Sequence, residues 1–220
     1  MMDKQRQLFW DTIKAFNDIG ILSYVVVIGS WAEHIYELAY FQDFEANLRT
    51  RDIDFLYPNI RKPDKKVDLI KSLEELGFLV AVDSLTEITK FYNEELEIEF
   101  LVRDMGQGQS DAYEVEALNI KAEGLRHMDI LSRHSIAVEI KGFTVKVPYP
   151  QAYVLHKLII NKSRKTKKEK DIRSVIFILE KLKEDPHKIE KLKGIYDTLS
   201  KKEKQRIDET CKENSIDLFM

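Results

Sequence analysis

Apolar residues recur at three- and four-residue spacing across 5–19, where Leu8, Phe9, Ile13 and Phe16 share one helical face. Gly20 follows, the residue that ordinarily terminates such a helix. The run SYVVVIG (23–29) is β-branched and stopped by glycine, which predicts a short buried strand. Residues 31–41 return to helical spacing. Period two appears in TRDIDFLYP (50–58), where Ile53, Phe55 and Tyr57 alternate with Asp52, Asp54 and Leu56 until Pro58 ends the strand. A helix is predicted over 64–76, closed by Gly77, then a short strand over 78–82. Residues 88–92 and 96–102 read as a hairpin with Asn93 and Glu94 near its turn. DMGQGQSD (104–111) is a loop, ALNIKA (117–122) is strand-like, and 125–131 is a short helix. A second hairpin, 136–140 and 143–147, turns at Lys141-Gly142 before Pro148 and Pro150 break the sheet.

Beyond Pro150 the texture changes. Residues 151–220 carry helical periodicity, many lysines, almost no strand signal and one clear break at Asp185-Pro186. The pattern predicts an α+β chain, a mixed sheet flanked by helices over 1–148 followed by a helical region over 149–220. The 220 residues suffice for a catalytic domain with an accessory one, and 44% apolar content suffices for a packed core.

Charge narrows the partners. Lys and Arg total 35 against 38 Asp and Glu, a net charge of -3, so a chain that coats nucleic acid over its whole surface is excluded while a local basic patch is not. The single cysteine, Cys211, cannot form an internal disulfide and has no zinc-ligand neighbours, which suits a reducing compartment. The N-terminus lacks the apolar region of a signal peptide, and no apolar run reaches the roughly 20 residues that span a bilayer. The expectation is a cytoplasmic protein without a membrane partner. The five histidines are scattered without ligand spacing, and His156 beside Lys157 reads as structural.

Candidate chemistry begins with Asp52 and Asp54, two apart on a strand and therefore on one face. Two adjacent carboxylates repel unless a positive charge lies between them, and Mg²⁺ with its oxygen ligands meets that need. Taken alone, such a pair is more often a solvated strand face than a metal site. LEIEFLV supplies a third acid, Glu99, set among apolar residues as Asp54 is. Upstream, Gly29-Ser30 joins a strand to a helix. Glycine admits a phosphate close to the backbone, and the helix start offers free N–H groups. Alone, it is an ordinary turn with a serine cap.

In this order the segments VVVIGS, RTRDIDFLYP and LEIEFLV resemble the nucleotidyltransferase superfamily with the polymerase-β-type fold. They are most similar to the small prokaryotic proteins that include abortive-infection, type IV toxin nucleotidyltransferases, which also carry Arg-Thr before Asp-x-Asp, here Arg49-Thr50. VPYPQAYVLHKLIINKSRKTKKEKDIRSV is similar to the later family motif and supplies Lys157, Arg164, Lys170 and Asp171. Lys157 and Arg164, seven apart, would share a helix face with Asn161 between them. The lysine-rich run 162–170 is otherwise a solvated helix end.

The resemblance implies transfer of a nucleoside monophosphate from a nucleoside triphosphate to an acceptor hydroxyl, with release of pyrophosphate. It implies Asp52, Asp54 and Glu99 as catalytic ligands of Mg²⁺, with Mn²⁺ as a substitute. Gly29, Ser30, Lys157, Arg164, Lys170 and Asp171 would bind the nucleotide. The acceptor is a tRNA end, a protein hydroxyl or a small molecule such as an aminoglycoside, and a cognate antitoxin protein is an implied partner. The alternative is a catalytically weak or inactive nucleotide- or RNA-binding or toxin–antitoxin module on the same fold. Three departures bear on the site: Glu99 stands where Asp is commoner, the gap from Ser30 to Asp52 is longer than in the shortest superfamily members, and Trp31, beside the phosphate turn, packs inward or stacks on a base.

Overall fold

Helix α1 (Met2–Asp18) turns its apolar stripe onto the sheet: Phe9, Ile13 and Phe16 are wholly buried, and the Phe16 ring lies 4.8 Å from Phe55 and 5.8 Å from Phe100. The computed structural model describes residues 2–41, 43–46, 50–106, 112–164 and 166–219. Strand β1 (Val26–Ile28) passes directly into α2 (Gly29–Ala39), and β2 (Asp52–Leu56) returns antiparallel to β1. Then follow α3 (Leu69–Glu74), β3 (Leu79–Val82), β4 (Thr89–Tyr92), β5 (Glu97–Arg103), β6 (Ala112–Val115) and β7 (Ile120–Leu125).

The strands form a seven-stranded mixed sheet in the order β1-β2-β5-β4-β3, with β7 pairing the second half of β5 and β6 pairing β7. β2 and β5 are parallel, in a register that sets Asp52 opposite Glu97 and Asp54 opposite Glu99. Alternation then does the sorting: Ile53, Phe55, Ile98 and Phe100 enter the core beneath α1, and the acids face the other way. The sheet flanked by helices agrees with the expected α+β class.

Short helix α4 (Asp129–Arg133) leads to a separate hairpin of β8 (Ser135–Ile140) and β9 (Phe143–Pro148). Lys141 and Gly142 both take left-handed backbones, φ 50° and 82°, the pair a tight two-residue hairpin turn requires. The helical region comprises α5 (Pro150–Asn161), α6 (Lys168–Lys183), α7 (Pro186–Asp197) and α8 (Lys201–Glu213). Its helices share one continuous buried cluster with the sheet, and the Tyr36 hydroxyl of α2 donates to the Pro148 carbonyl at the end of β9 at 2.7 Å.

Several boundaries differ from the sequence reading. The helix expected over 64–76 is only α3, because Asp68 caps it by accepting from the Lys71 amide at 3.1 Å. ALNIKA divides into a 3-10 turn (Glu116–Leu118), a left-handed Asn119 and β7, and β7 extends through Leu125, which pushes the following helix on to Asp129. β6 was not anticipated. The helical region has breaks at 162–167 and 198–200 as well as at Asp185-Pro186. Part of the loop over 104–111, and Arg49, lie outside the described residues. Among those described, no helix is long and apolar enough to cross a membrane.

Candidate functional site

One cleft of ≈ 280 Å³ is lined by all nine residues singled out in the sequence: Gly29, Ser30, Asp52, Asp54, Glu99, Lys157, Arg164, Lys170 and Asp171. Its floor is the acid face of the sheet, and its opposite wall is α5, α6 and the link between them.

Asp54 is the middle acid. It is register partner to Glu99 on β5 and to Ile28 on β1, one residue before the phosphate turn. Burial, then the charges of Glu99 and Asp52, push its carboxyl up to about 6. Asp52 behaves oppositely. Burial alone would raise it, but the Lys167 ammonium at 2.7 Å and the Thr50 hydroxyl at 3.3 Å hold it below its ordinary value. Glu99 is ion-paired to Lys90, its register partner on β4, and the same lysine reaches Glu97 at 3.2 Å. Burial is the largest influence on Lys90 and opposes its charge, but the hydrogen bonds and charges of Glu99 and Glu97 together outweigh it and raise the ammonium. Among the described residues no three acids stand close enough together to form a ready metal cage. Two of the three carry lysines, and Asp54 has a neighbouring excess of negative charge.

Gly29 is required for two separate reasons. Its backbone is left-handed (φ 65°), and a Cβ there would stand 2.5 Å from the Asp54 Oδ2. Ser30 lies in the first turn of α2 and does not cap it: the cap position is Ile28, with no side-chain bond, and the Ser30 Oγ accepts instead from the Lys170 Nζ at 2.9 Å. Burial pushes the Lys170 ammonium down. Trp31 takes the inward alternative, wholly buried and stacked on Phe9 with ring centres 4.4 Å apart.

The cations are arranged differently from the expected stripe. α5 ends at Asn161, whose side-chain amide donates to the Lys168 carbonyl at 3.1 Å, so Arg164 lies in the connecting link and not on the helix of Lys157. Both converge on Asp171 of α6. The Lys157 Nζ bonds the Asp171 Oδ1 at 2.7 Å with both side chains buried, and the Arg164 Nε approaches Oδ2 at 3.4 Å without hydrogen-bond geometry. Nearby, the Tyr153 hydroxyl donates to buried Glu33 at 2.5 Å, and burial holds that phenol well above its ordinary range.

Sequence reasoning missed Lys167, Lys90, Glu123 and His156. Lys90 was accessible in principle, since the hairpin around Asn93 sets it opposite Glu99. Glu123 shares one face of β7 with Lys121 and Leu125, and burial and then Glu99 raise its carboxyl. Lys167 has no signal within a run of lysines. His156, read as structural, lines the cleft. Burial and then Lys157 hold it well below its ordinary value, and its Nε2 has no hydrogen-bond partner.

A nucleotidyltransferase family model matches residues 8–194. No curated protein matches the sequence. Among solved structures, the solution structure of the antibiotic-resistance factor ANT(2'')-Ia is similar at 15% identity, covering 90% of this chain and 94% of that one with a TM-score of 0.51. ANT(2'')-Ia in complex with adenylyl-2''-tobramycin is similar at 14%, covering 87% and 94%, TM-score 0.51. An antigenic nucleotidyltransferase-like protein from Paracoccidioides brasiliensis is similar at 14%, covering 94% and 88%, TM-score 0.52. At these identities the likeness is one of fold.

Proposed function

The chain belongs to the nucleotidyltransferase family, and from that premise we propose that its cleft transfers a nucleoside monophosphate from a nucleoside triphosphate to an acceptor hydroxyl. The observation that carries this is the convergence of the acids, the glycine turn and the cations on one cleft from segments far apart in sequence. The acceptor oxygen attacks the α-phosphorus, the bond to the bridging oxygen breaks, and pyrophosphate leaves opposite the attacking group.

Gly29 lets the phosphate chain approach the start of α2, where free N–H groups and the Ser30 hydroxyl face it. Lys170, already at Ser30, and Lys157 and Arg164 from the facing wall supply positive charge to the departing pyrophosphate. Asp171 holds Lys157 in place. Asp52, Asp54 and Glu99 would hold the divalent cation, Mg²⁺ with Mn²⁺ as substitute, and Glu99 would help activate the acceptor hydroxyl. The donors fit such an ion: they are hard oxygens, and the Asp54 carboxyl is kept up by burial and then by the negative charge of Glu99 and Asp52 around it. When bound, the ion supplies charge neutralisation at the phosphates. The sheet half over 1–148 thus contributes acids, and the helical half over 149–220 contributes cations. The adenylylated molecule in one structural neighbour supports an acceptor of this kind.

A second reading, metal-dependent nucleotide binding without turnover, is favoured by one observation: Lys167 and Lys90 already supply positive charge to two of the three acids. Pyrophosphate release from each of the four triphosphates, with Mg²⁺ and a cell extract as acceptor source, separates the two. Release that is lost in Asp54→Asn establishes transfer. Release that survives in that variant rejects the assigned acids, and binding without release establishes the second reading.

A further inference from the structure

The cleft has two chemically different ends. Across the sheet the order is β1, β2, β5, β7. The phosphate turn is at the β1 end, with Lys170 and the Lys157–Asp171 pair above it. Beyond Glu99, at the β7 end, the lining changes to Leu101, Leu125, Met128 and Leu131. Leu101, Met128 and Leu131 are almost wholly buried, so this is a formed apolar wall. Two polar groups interrupt it. Glu123, register partner of Leu101, faces the cleft with no ion-pair or hydrogen-bond partner among the described residues. His156 is 96% buried (relative exposure 4%), and its Nε2 has no hydrogen-bond partner. A buried polar atom left unsatisfied costs about 1–3 kcal/mol, so the His156 Nε2 calls for a reason, while Glu123, partly exposed, is an unpaired carboxylate in the same cleft.

In-line displacement supplies the reason, given the nucleotidyl-transfer reading on which this inference rests. The leaving pyrophosphate occupies the Ser30 end, so the attacking oxygen must come from the other side of the α-phosphorus. That side is the β7 end. We propose that Leu101, Leu125, Met128 and Leu131, with Glu123 and His156, form the acceptor subsite, and that the acceptor is a neutral or cationic hydroxyl compound with an apolar face, not RNA. An apolar wall offers nothing to sugar–phosphate, and the unpaired carboxylate of Glu123 repels it. A cation or a hydrogen-bonding group on the acceptor is read by Glu123 and by the His156 Nε2, and the ring or alkyl face lies on the leucines and Met128.

The test reads the subsite directly. The chain holds five methionines, so ¹³C-methyl labelling gives a small spectrum in which Met128 reports this end. ¹⁵N labelling reports the Ser30 amide. The four α,β-methylene nucleoside triphosphates with Mg²⁺ are added first, then tyramine, N-acetyltyrosinamide or total tRNA. The expected result is that a nucleotide analogue shifts Ser30 and leaves Met128 in place, and that both phenols shift Met128 saturably while tRNA does not. His156→Leu should weaken both phenols about tenfold, the loss of one hydrogen bond. Glu123→Gln, at a partly exposed position, should weaken tyramine and leave N-acetyltyrosinamide unchanged. A Met128 shift from nucleotide alone, a Met128 shift from tRNA, or no shift from either phenol overturns the proposal. Absence of any Ser30 response rejects the nucleotidyl-transfer reading instead, and the phenol titrations still decide the subsite.

Discussion

Gly29→Ala isolates the contact on which the cleft depends. Two costs combine in that variant. An L-residue held in the left-handed region loses roughly 1–2 kcal/mol, part of which is returned because alanine restricts the unfolded chain by about 0.4–1 kcal/mol. The second cost is steric. The new Cβ would stand 2.5 Å from the Asp54 Oδ2, so the carboxylate must retreat by roughly 1 Å to reach ordinary contact near 3.5 Å. Overpacking of this kind costs about 1–3 kcal/mol. Gly20→Ala is the matched control, because Gly20 has φ 78° and nothing within 4 Å of its Cβ position. It carries the backbone cost alone. By calorimetry Gly20→Ala should lower Tm by about 2–4 °C and Gly29→Ala by about 5–15 °C, at roughly 2–4 °C per kcal/mol for a chain of this size. Pyrophosphate release should be unchanged in Gly20→Ala and fall about 100-fold in Gly29→Ala, the usual consequence of a 1 Å misplacement of a reacting group. Equal Tm losses and equal activity in the two variants would refute the claim that Gly29 is selected by Asp54.

Asp54→Asn should abolish transfer and yet stabilise the chain. Folding lifts the Asp54 carboxyl from 3.8 to about 6, so between those values the folded chain keeps a proton that the unfolded chain has lost. Stability therefore falls as pH rises through that window, and the penalty is complete above about 6. Two units correspond to at most about 3 kcal/mol, and screening in the open cleft reduces this to roughly 1–2 kcal/mol. Urea midpoints at pH 7.5 should show the Asn gain, and at pH 3.5 it should vanish. Lys167→Ala removes the cation that competes for Asp52. Its ammonium is half exposed, so stability should change by under about 1 kcal/mol, whereas Mn²⁺ affinity, read by calorimetry without nucleotide, should rise up to about fivefold. Lys157→Met leaves Asp171 buried without its 2.7 Å partner and should cost about 3–5 kcal/mol in urea unfolding. The double variant Lys157→Met/Asp171→Asn should recover most of that loss without recovering transfer; a double variant as unstable as the single one would show that the pair is not the cause.

The acids were legible in the sequence because strand alternation is local. Asp52 and Asp54 declare a shared face through Ile53 and Phe55, and Glu99 does so through Ile98 and Phe100. The turn at Lys141-Gly142 was legible for the same reason, since its requirement for left-handed backbones lies within two residues. What pairs with what is not local. The parallel register of β2 and β5 joins residues more than forty apart, and only that register brings Asp54 opposite Glu99. Arg164 was placed on the wrong element because helical spacing continues past Asn161 in the sequence, whereas the Asn161 side chain bonds the Lys168 carbonyl as the chain leaves the helix. Lys167 could not be told from its neighbours, because what distinguishes it is the location of Asp52 across the cleft. His156 was set aside because its neighbour Lys157 carried the motif. Yet adjacent positions on a helix point about 100° apart, so one can meet Asp171 while the other meets the apolar end.

The charges of the cleft are not spread evenly, and that unevenness locates where binding energy is available. Asp52 is satisfied by Lys167 and Glu99 by Lys90, each lysine arriving from a different direction. Asp54 lies between them, closest to the phosphate turn, raised by burial first and then by the acids on both sides, with the charges of Lys157 and Lys167 opposing. It cannot withdraw toward solvent without leaving the strand that Ile53 and Phe55 anchor in the core. On its other side Gly29 leaves no side chain between it and a phosphate. A ligand that brings positive charge to Asp54 thus relieves a penalty already built into the folded chain, and that relief adds to its affinity. A ligand that reaches only Asp52 or Glu99 must first displace a lysine. The part of the Asp54 penalty that Glu99 and Asp52 impose is what a cation beside Gly29 relieves, and the stabilising effect of Asp54→Asn, which also removes the burial cost, sets the upper bound on it.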